Sequence, residues 1–330
     1  MTRVRVIGAG PAGTAAAISA LRHGAAVDLY EKSRFPRHKV CGEFLSPGAT
    51  HILDRLGVDW QSLQPAPLRR LLLCFDNRQS LGDLPETAFG LSRYALDALL
   101  LQRALAGGAV LHRTPGESDG APCVIATGRH CAAPKGSRLF GFKAHFEGPY
   151  SDTMELHFQR KGAYVGVNAI ERGRTNVCGL APEDALAAHR FEIDAYLASI
   201  PSLQRRLDGM RRLWGWIRVG PLVFENQLNN STDFGKYYAG DSLFFIDPFT
   251  GSGMLTALLT GELAGEAAAL GQSSEEYVKK CKQLLTRPQF ASRVFRLSIK
   301  SGLAEFAERL IPHRWLFRLT RPRIPVTHCK

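Results

Sequence analysis

No stretch of this sequence approaches the roughly 18 to 20 consecutive apolar residues that a membrane-spanning helix needs, because Asp247 and Glu262 interrupt its most apolar part. A membrane span is not expected. Seven cysteines are an odd number, and neither a CxxC pair nor two histidines at zinc-ligand spacing occurs, so the sequence predicts reduced thiols and no metal site. The amino terminus has glycines and a helical pattern where a secretory leader would carry its cleavage region, and a cytoplasmic location is the expectation. Internal repeats and low-complexity segments are missing too. No Ser-His-Asp or Cys-His arrangement stands out, so no general base or nucleophile is assigned.

What is there is a globular composition. The 330 residues are 45% hydrophobic and 22% charged, which excludes a disordered tail and a disulfide miniature and leaves room for two domains. The net charge of +12 is uneven: residues 275–330 carry 13 Lys or Arg against 4 Asp or Glu. The body is nearly neutral and the tail is basic. Such a tail attracts an anionic membrane surface or an acidic carrier protein, with nucleic acid a lesser prospect. Its apolar stripe (Phe290, Val294, Leu297, then Ile299, Leu303, Phe306 and Leu310) predicts an amphipathic helix broken at Pro288, Pro312 and Pro322, with Arg293, Arg296, Lys300, Arg309, Arg314 and Arg318 facing outward.

Val4 to Ile7 reads as a strand that stops at Gly8-Ala9-Gly10-Pro11-Ala12-Gly13, after which small residues continue at helical spacing. Val27 to Tyr30 reads as the next strand, and Glu31 follows it, 23 residues after Gly8. Strand, glycine turn, helix and a distant acid form the dinucleotide-binding pattern. Gly8 permits the turn, Gly10 admits a pyrophosphate, Gly13 lets the helix pack on the strand, and Glu31 accepts hydrogen bonds from a ribose while repelling a 2′-phosphate. A helix is predicted from Leu91 to about Leu105, and a buried strand from Pro122. Short alternating runs between Leu139 and Leu180 predict an antiparallel sheet, and Arg211 to Val219, with Trp214 and Trp216 on one face, a further strand. Asp247 to Met254 leads into a helix ending near Leu270.

The segments VIGAGPAGTAAA (6–17), FPRHKVCGEFLSPGA (35–49), LSRYALD (91–97), IATGR (125–129) and AGDSLFFIDPFTGSGM (239–254) together resemble the FAD-dependent superfamily of p-hydroxybenzoate hydroxylase, the geranylgeranyl reductases and the flavin-dependent halogenases. The resemblance implies an α/β fold: a Rossmann-like FAD-binding domain (1–68, 90–132 and 220–274), an inserted antiparallel β-sheet substrate domain (69–89 and 133–219) and a basic helical extension (275–330). It implies FAD held by Gly8, Gly10, Pro11, Ala12, Gly13, Glu31 and Lys32 at one end. Asp241 takes the ribityl chain, while Pro248, Gly251, Ser252, Gly253 and Met254 lead the helix whose positive end faces the flavin. Arg37, Cys41, Gly42 and Arg93 complete the cofactor set. With no second Gly-x-Gly-x-x-Gly, NAD(P)H or another electron donor has no Rossmann site of its own.

Alternation along the predicted strands suggests a substrate pocket of Phe44, Phe142, Phe158, Tyr164, Asn168, Trp214 and Trp216. Halogenases of this superfamily carry WxWxIP and a relay lysine; here Arg218 and Val219 replace Ile-Pro, and no lysine occurs between Lys39 and Lys135. The reductases resemble one another at YxWxFPK, whereas Ala163 to Ile170 lacks the tryptophan, proline and lysine. The expected activity is monooxygenase-type oxidation of a hydrophobic or aromatic small molecule, polyketide- or isoprenoid-like. The alternatives are reduction of isoprenoid double bonds, halogenation, which the missing motifs disfavour, and a non-catalytic flavin- or nucleic-acid-binding module.

Overall fold

The computed structural model describes the chain except residues 76–77, 119, 121, 129–137, 223–232, 246, 302–312, 323 and 325–330. The strands are β1 (Arg3–Ile7), β2 (Ala26–Tyr30), β3 (Phe44–Leu45), β4 (Ala66–Cys74), β5 (Gln79–Gly90), β6 (Val110–His112) and β7 (Cys123–Ile125). They continue with β8 (Leu139–Glu147), β9 (Thr153–Phe158), β10 (Tyr164–Ile170), β11 (Arg174–Pro182), β12 (Arg211–Arg212), β13 (Ile217–Leu222) and β14 (Lys236–Tyr238). The helices are α1 (Pro11–Arg22), α2 (Pro47–Arg55), α3 (Arg93–Ala106), α4 (Glu183–Ala187), α5 (Ile193–Ala198), α6 (Pro201–Leu207), α7 (Gly253–Leu270), α8 (Ser274–Lys300) and α9 (His313–Leu319).

Val4, Val6, Val27 and Leu29 share one face of the parallel strands β1 and β2 and are buried there against the helices. Five such strands pair in the order β14-β7-β1-β2-β6. α1 crosses α7 at small residues: a Cβ at Gly261 or Gly265 would lie 2.1 Å from the carbonyl oxygen of Ala12 or Ala16. That approach packs the first turns of α1 against the middle of α7.

The second sheet runs β12-β8-β11-β10-β9-β4-β5-β3, with β13 also on β8. Its pairs are antiparallel except β4 with β9. Alternation divides its side chains between two cores. Met154, Leu156, Phe158 and Tyr164 face the carboxyl-terminal helices; Phe142, Ala144, Phe146, Val165 and Val167 pack under α5 and α6. The parallel sheet draws on segments 3–30, 110–125 and 236–238, and the antiparallel sheet on 44–90 and 139–222.

Three expectations are corrected. Arg211 to Val219 is two short strands, with Leu213 to Trp216 between them, and the tryptophans separate: Trp214 stacks near His38, Trp216 against Phe142 and Phe146. Pro288 does not break α8, which runs through it from Ser274 to Lys300. Tyr277, Val278, Cys281 and Leu285 anchor the first half on the parallel-sheet core, Phe295 and Ile299 the second half on the other. Packing on both sides outweighs the lost hydrogen bond. The predicted stripe splits likewise: Phe290, Val294 and Leu297 are exposed, Ile299 and Arg296 buried, and Leu303, Phe306, Arg309 and Leu310 lie outside the described residues.

Candidate flavin site and adjoining cavity

The glycine turn divides its work by packing. A Cβ on Gly8, at φ +98°, would meet the Ala126 oxygen at 2.4 Å, and one on Gly13 would meet the Gly8 oxygen at 1.7 Å. Those two glycines serve the strand–helix contact. Before Gly10 the space is open except for the Arg93 guanidinium, 3.9 Å away. Pro11 and Ala12 begin α1, and its first N–H groups point into that space, a ready anion site.

Glu31 accepts from the N–H groups of Ala9 (3.1 Å) and Ser33 (2.8 Å) and from both terminal nitrogens of Arg37 (3.0 and 3.3 Å). Burial opposes its ionisation, but these N–H groups and the Arg37 charge outweigh it and hold the carboxyl below its ordinary range. Four donors fill the carboxylate, so a ribose hydroxyl enters only as Arg37 swings aside. Lys32 is exposed next to it.

Arg93 grips Asp97 one turn along α3, through Nε (2.6 Å) and Nη2 (2.7 Å). Cys41 is half-buried, and burial pushes its thiol up despite the Arg93 charge; beside it, Gly42 faces open space. Glu43 is fully buried at φ +52°, a left-handed conformation costing a non-glycine residue roughly 1 to 2 kcal/mol. Its carboxylate ties the segment down: it accepts from the Arg93 N–H at 2.7 Å, pairs with buried Lys143, and meets His145 Nε2 at 2.7 Å. Of this group, Glu43, Lys143 and His145 were not singled out in the sequence. The signal available was a lone lysine and a histidine two residues apart on one face of a predicted strand.

At the other end, Asp241 is exposed on a single 3-10 turn after β14. Pro248 starts another such turn, Gly251 closes it at φ +63°, and buried Ser252, bonded to the Thr250 hydroxyl at 2.6 Å, precedes α7 without a side-chain bond to its first N–H groups. Nothing lies within 4 Å of a Cβ on Gly253, and Met254 is buried behind it. Openings at Gly10 and Gly253 thus lie at the amino termini of α1 and α7, and a third lies at Gly42.

Next to Gly251 is a narrow apolar cavity, with about 40 Å³ open to a water-sized sphere, room for two or three waters. Phe44 and Phe158 line it, with leucines of β4, β5 and β9 on one wall; Phe295 of α8 and Phe317 of α9 form the roof. Of the remaining pocket candidates, Tyr164 stands behind Phe158 and Phe249. Phe142 and Trp216 belong to the opposite face, because Lys143 takes the inward position on β8 to reach Glu43. Asn168 is buried beside Gly90. Trp214 lines a separate cleft of about 920 Å³ with His38, Tyr94, Arg172 and Arg174.

The family model of glucose inhibited division protein A matches residues 3–57. Over 55 residues the chain is 51% identical to menaquinone reductase of Mycolicibacterium smegmatis, a match spanning 17% of this chain and 13% of that protein. The fold extends much further. The flavin-dependent brominase Bmp2 superposes with a TM-score of 0.77 at 18% identity, covering 97% of this chain and 93% of that one. A geranylgeranyl bacteriochlorophyll reductase-like protein from Thermoplasma acidophilum gives 0.75 at 18% identity, with 97% and 96% covered. The amino-terminal segment is similar in sequence to the first two of these proteins, and nearly the whole chain shares the fold of flavin-dependent enzymes.

FAD is the cofactor that the matched amino-terminal segment indicates, and the residues present fit it. Gly10 and the start of α1 suit the pyrophosphate, Glu31 a ribose, Asp241 the ribityl hydroxyls, and Gly42 with Gly253 the flavin ring. The α7 amino terminus, about half a positive charge, stabilises negative charge on a ring placed against it. When bound and reduced, FAD supplies a hydride or, with dioxygen, an electrophilic oxygen atom.

Proposed function

We propose that the protein is a monooxygenase acting on a lipophilic small molecule in the cavity beside Gly251. The lining carries this reading. Its polar groups are Thr250, Thr320 and Arg321; among the described residues no carboxyl, imidazole, phenol or thiol lines it. Hydride addition to a carbon-carbon double bond needs an acid at the neighbouring carbon, and this wall offers none. Oxygen transfer makes no such demand and profits from a site that excludes water. Halogenation fits less well, because buried Lys143 is committed to Glu43 away from the cavity.

Reduction of an isoprenoid double bond is the second reading, favoured by Cys41, whose thiol burial keeps protonated beside the opening at Gly42. The test is isotopic. Turnover of a lipophilic substrate under ¹⁸O₂ is expected to place one labelled atom in the product; anaerobic conversion to a saturated product with reduced enzyme would replace the first reading with the second. We further propose that the substrate reaches the cavity from an anionic lipid surface, on which α8 and α9 dock. A nicotinamide donor then acts as a transient visitor.

A further inference from the structure

Among the described residues, the cavity contains a cation without a counter-ion. Arg321 follows α9, and its side chain turns back toward the α7 turn, where Nη2 lies 3.2 Å from the position of a Cβ on Gly251. Nη1 donates to the Phe317 oxygen at 2.8 Å and the Thr320 hydroxyl at 3.3 Å, and Nη2 to the Thr250 oxygen at 2.7 Å. The guanidinium carbon lies 3.4 Å from the centre of the Phe317 ring and 5.6 Å from that of Phe44. Every one of these partners is neutral. Nε is sealed from solvent and has no partner.

Arginines elsewhere in the fold show what is missing. Arg93 holds Asp97, and Arg55 holds Glu262, each through Nε and Nη2; Arg296, in the roof, pairs with Asp247. Arg321 has five N–H groups and three bonds, which leaves Nε–H and one Nη2–H. Those nitrogens share the edge that grips a carboxylate elsewhere in this protein. Burial with no opposing charge pushes the Arg321 pKa down to about 9, and an anion at the free edge reverses that push.

We propose that the substrate carries a carboxylate, which Arg321 takes through Nε and Nη2 while the apolar body lies among Leu73, Leu156 and Phe158. The inference rests on the cavity being the substrate site. A monovalent two-oxygen anion suits the place better than a phosphate, because the nearby hydroxyls are engaged: Thr250 Oγ1 donates to the Asp247 oxygen and Thr320 Oγ1 to the Phe317 oxygen. Since the free volume is small, the substrate must push lining side chains aside as it enters.

The experiment is calorimetric titration of the FAD-loaded full chain with octanoate and, separately, octanol, each at low and high salt. Octanoate is expected to bind about tenfold more tightly than octanol. The preference should survive high salt, because buried pairs are screened little, whereas adsorption to surface arginines is lost. Arg321→Gln should abolish the preference while leaving octanol affinity and bound FAD unchanged, and Arg321→Lys, which keeps the charge without the fork, should retain part of it. Leu73→Trp, which fills the cavity, should weaken both probes. Equal binding of the two probes, or an Arg321→Gln variant that still prefers the acid, overturns the carboxylate proposal alone. Wild-type protein that binds neither probe, or a Leu73→Trp variant that binds both unchanged, overturns the cavity reading and this proposal with it.

Discussion

Gly10 and Gly13 stand three residues apart and differ in what a methyl group would meet. Gly10→Ala has room in the fold and only the Arg93 guanidinium nearby, so the variant should unfold at the wild-type temperature yet lose flavin, read as absorbance of the purified protein. Gly13→Ala drives a Cβ into the Gly8 carbonyl and should cost roughly 1 to 3 kcal/mol or more of stability. Equal flavin content in Gly10→Ala and wild type would sink the assignment of that opening to the cofactor. A pH dependence follows from His38, stacked between Tyr94 and Trp214. Burial, then the Lys143 charge, lower its pKa from an ordinary 6.5 to about 4. Between those values the unfolded chain binds a proton that the folded chain does not, so stability falls as pH drops from about 6.5 toward about 4. Glu43 adds to this at lower pH: burial opposes its ionisation, but Lys143 and His145 outweigh burial and depress its pKa, so its contribution is lost as pH falls below the ordinary 4.5. His38→Phe keeps the stack and removes the proton site. Urea midpoints across the pH range should show a flatter slope between about 6.5 and 4; an unchanged slope would place the titration elsewhere.

Among the elements, the α1–α7 crossing links fold to site, because both helices end at the proposed cofactor path. Gly265→Ala sets a Cβ against the Ala16 carbonyl and should separate the helices, lowering the unfolding temperature and weakening FAD together. A variant destabilised with undiminished flavin affinity would uncouple the crossing from the site. The crossing has a local signal that the sequence reading did not use, since Gly261-x-x-x-Gly265 and Ala12-x-x-x-Ala16 repeat small residues at one-turn spacing. The glycine turn, Glu31 and most strands were legible because their signals are local. What was hidden depends on partners distant in sequence. The inward side of β8 is set by Lys143 meeting Glu43, 100 residues away, which turns Phe142 outward against expectation. Nothing near Pro288 announces that both halves of α8 are anchored, and nothing near Arg321 announces that its side chain reaches Thr250, 71 residues away.

At the scale of the whole molecule, the roof of the cavity is also its unusual surface. Phe290, Val294 and Leu297 follow one another at steps of four and three on α8 and are 69%, 47% and 59% exposed, and Trp315 of α9 is 54% exposed. Arg293, Arg314 and Arg318 are exposed on the same two helices. Among the described residues no helix is long and apolar enough to cross a membrane; in the proposed adsorption the aromatic and aliphatic groups would enter the headgroup layer while the arginines meet anionic lipid. Each such cation contributes about 1 kcal/mol near an anionic surface, and the attraction reaches about 8 to 10 Å at physiological salt. Apolar side chains set among the cations favour lipid over an acidic protein, which would be met by charge alone. Flotation with phosphatidylglycerol vesicles should carry the protein upward at low salt and much less at high salt, and not at all with neutral phosphatidylcholine. Phe290→Ser with Leu297→Ser should weaken flotation without changing FAD content, because both side chains point away from the cavity that Phe295 and Phe317 close. Binding to an acidic carrier protein without flotation on either vesicle would assign these helices to protein docking, and delivery of substrate from a bilayer would fall with it.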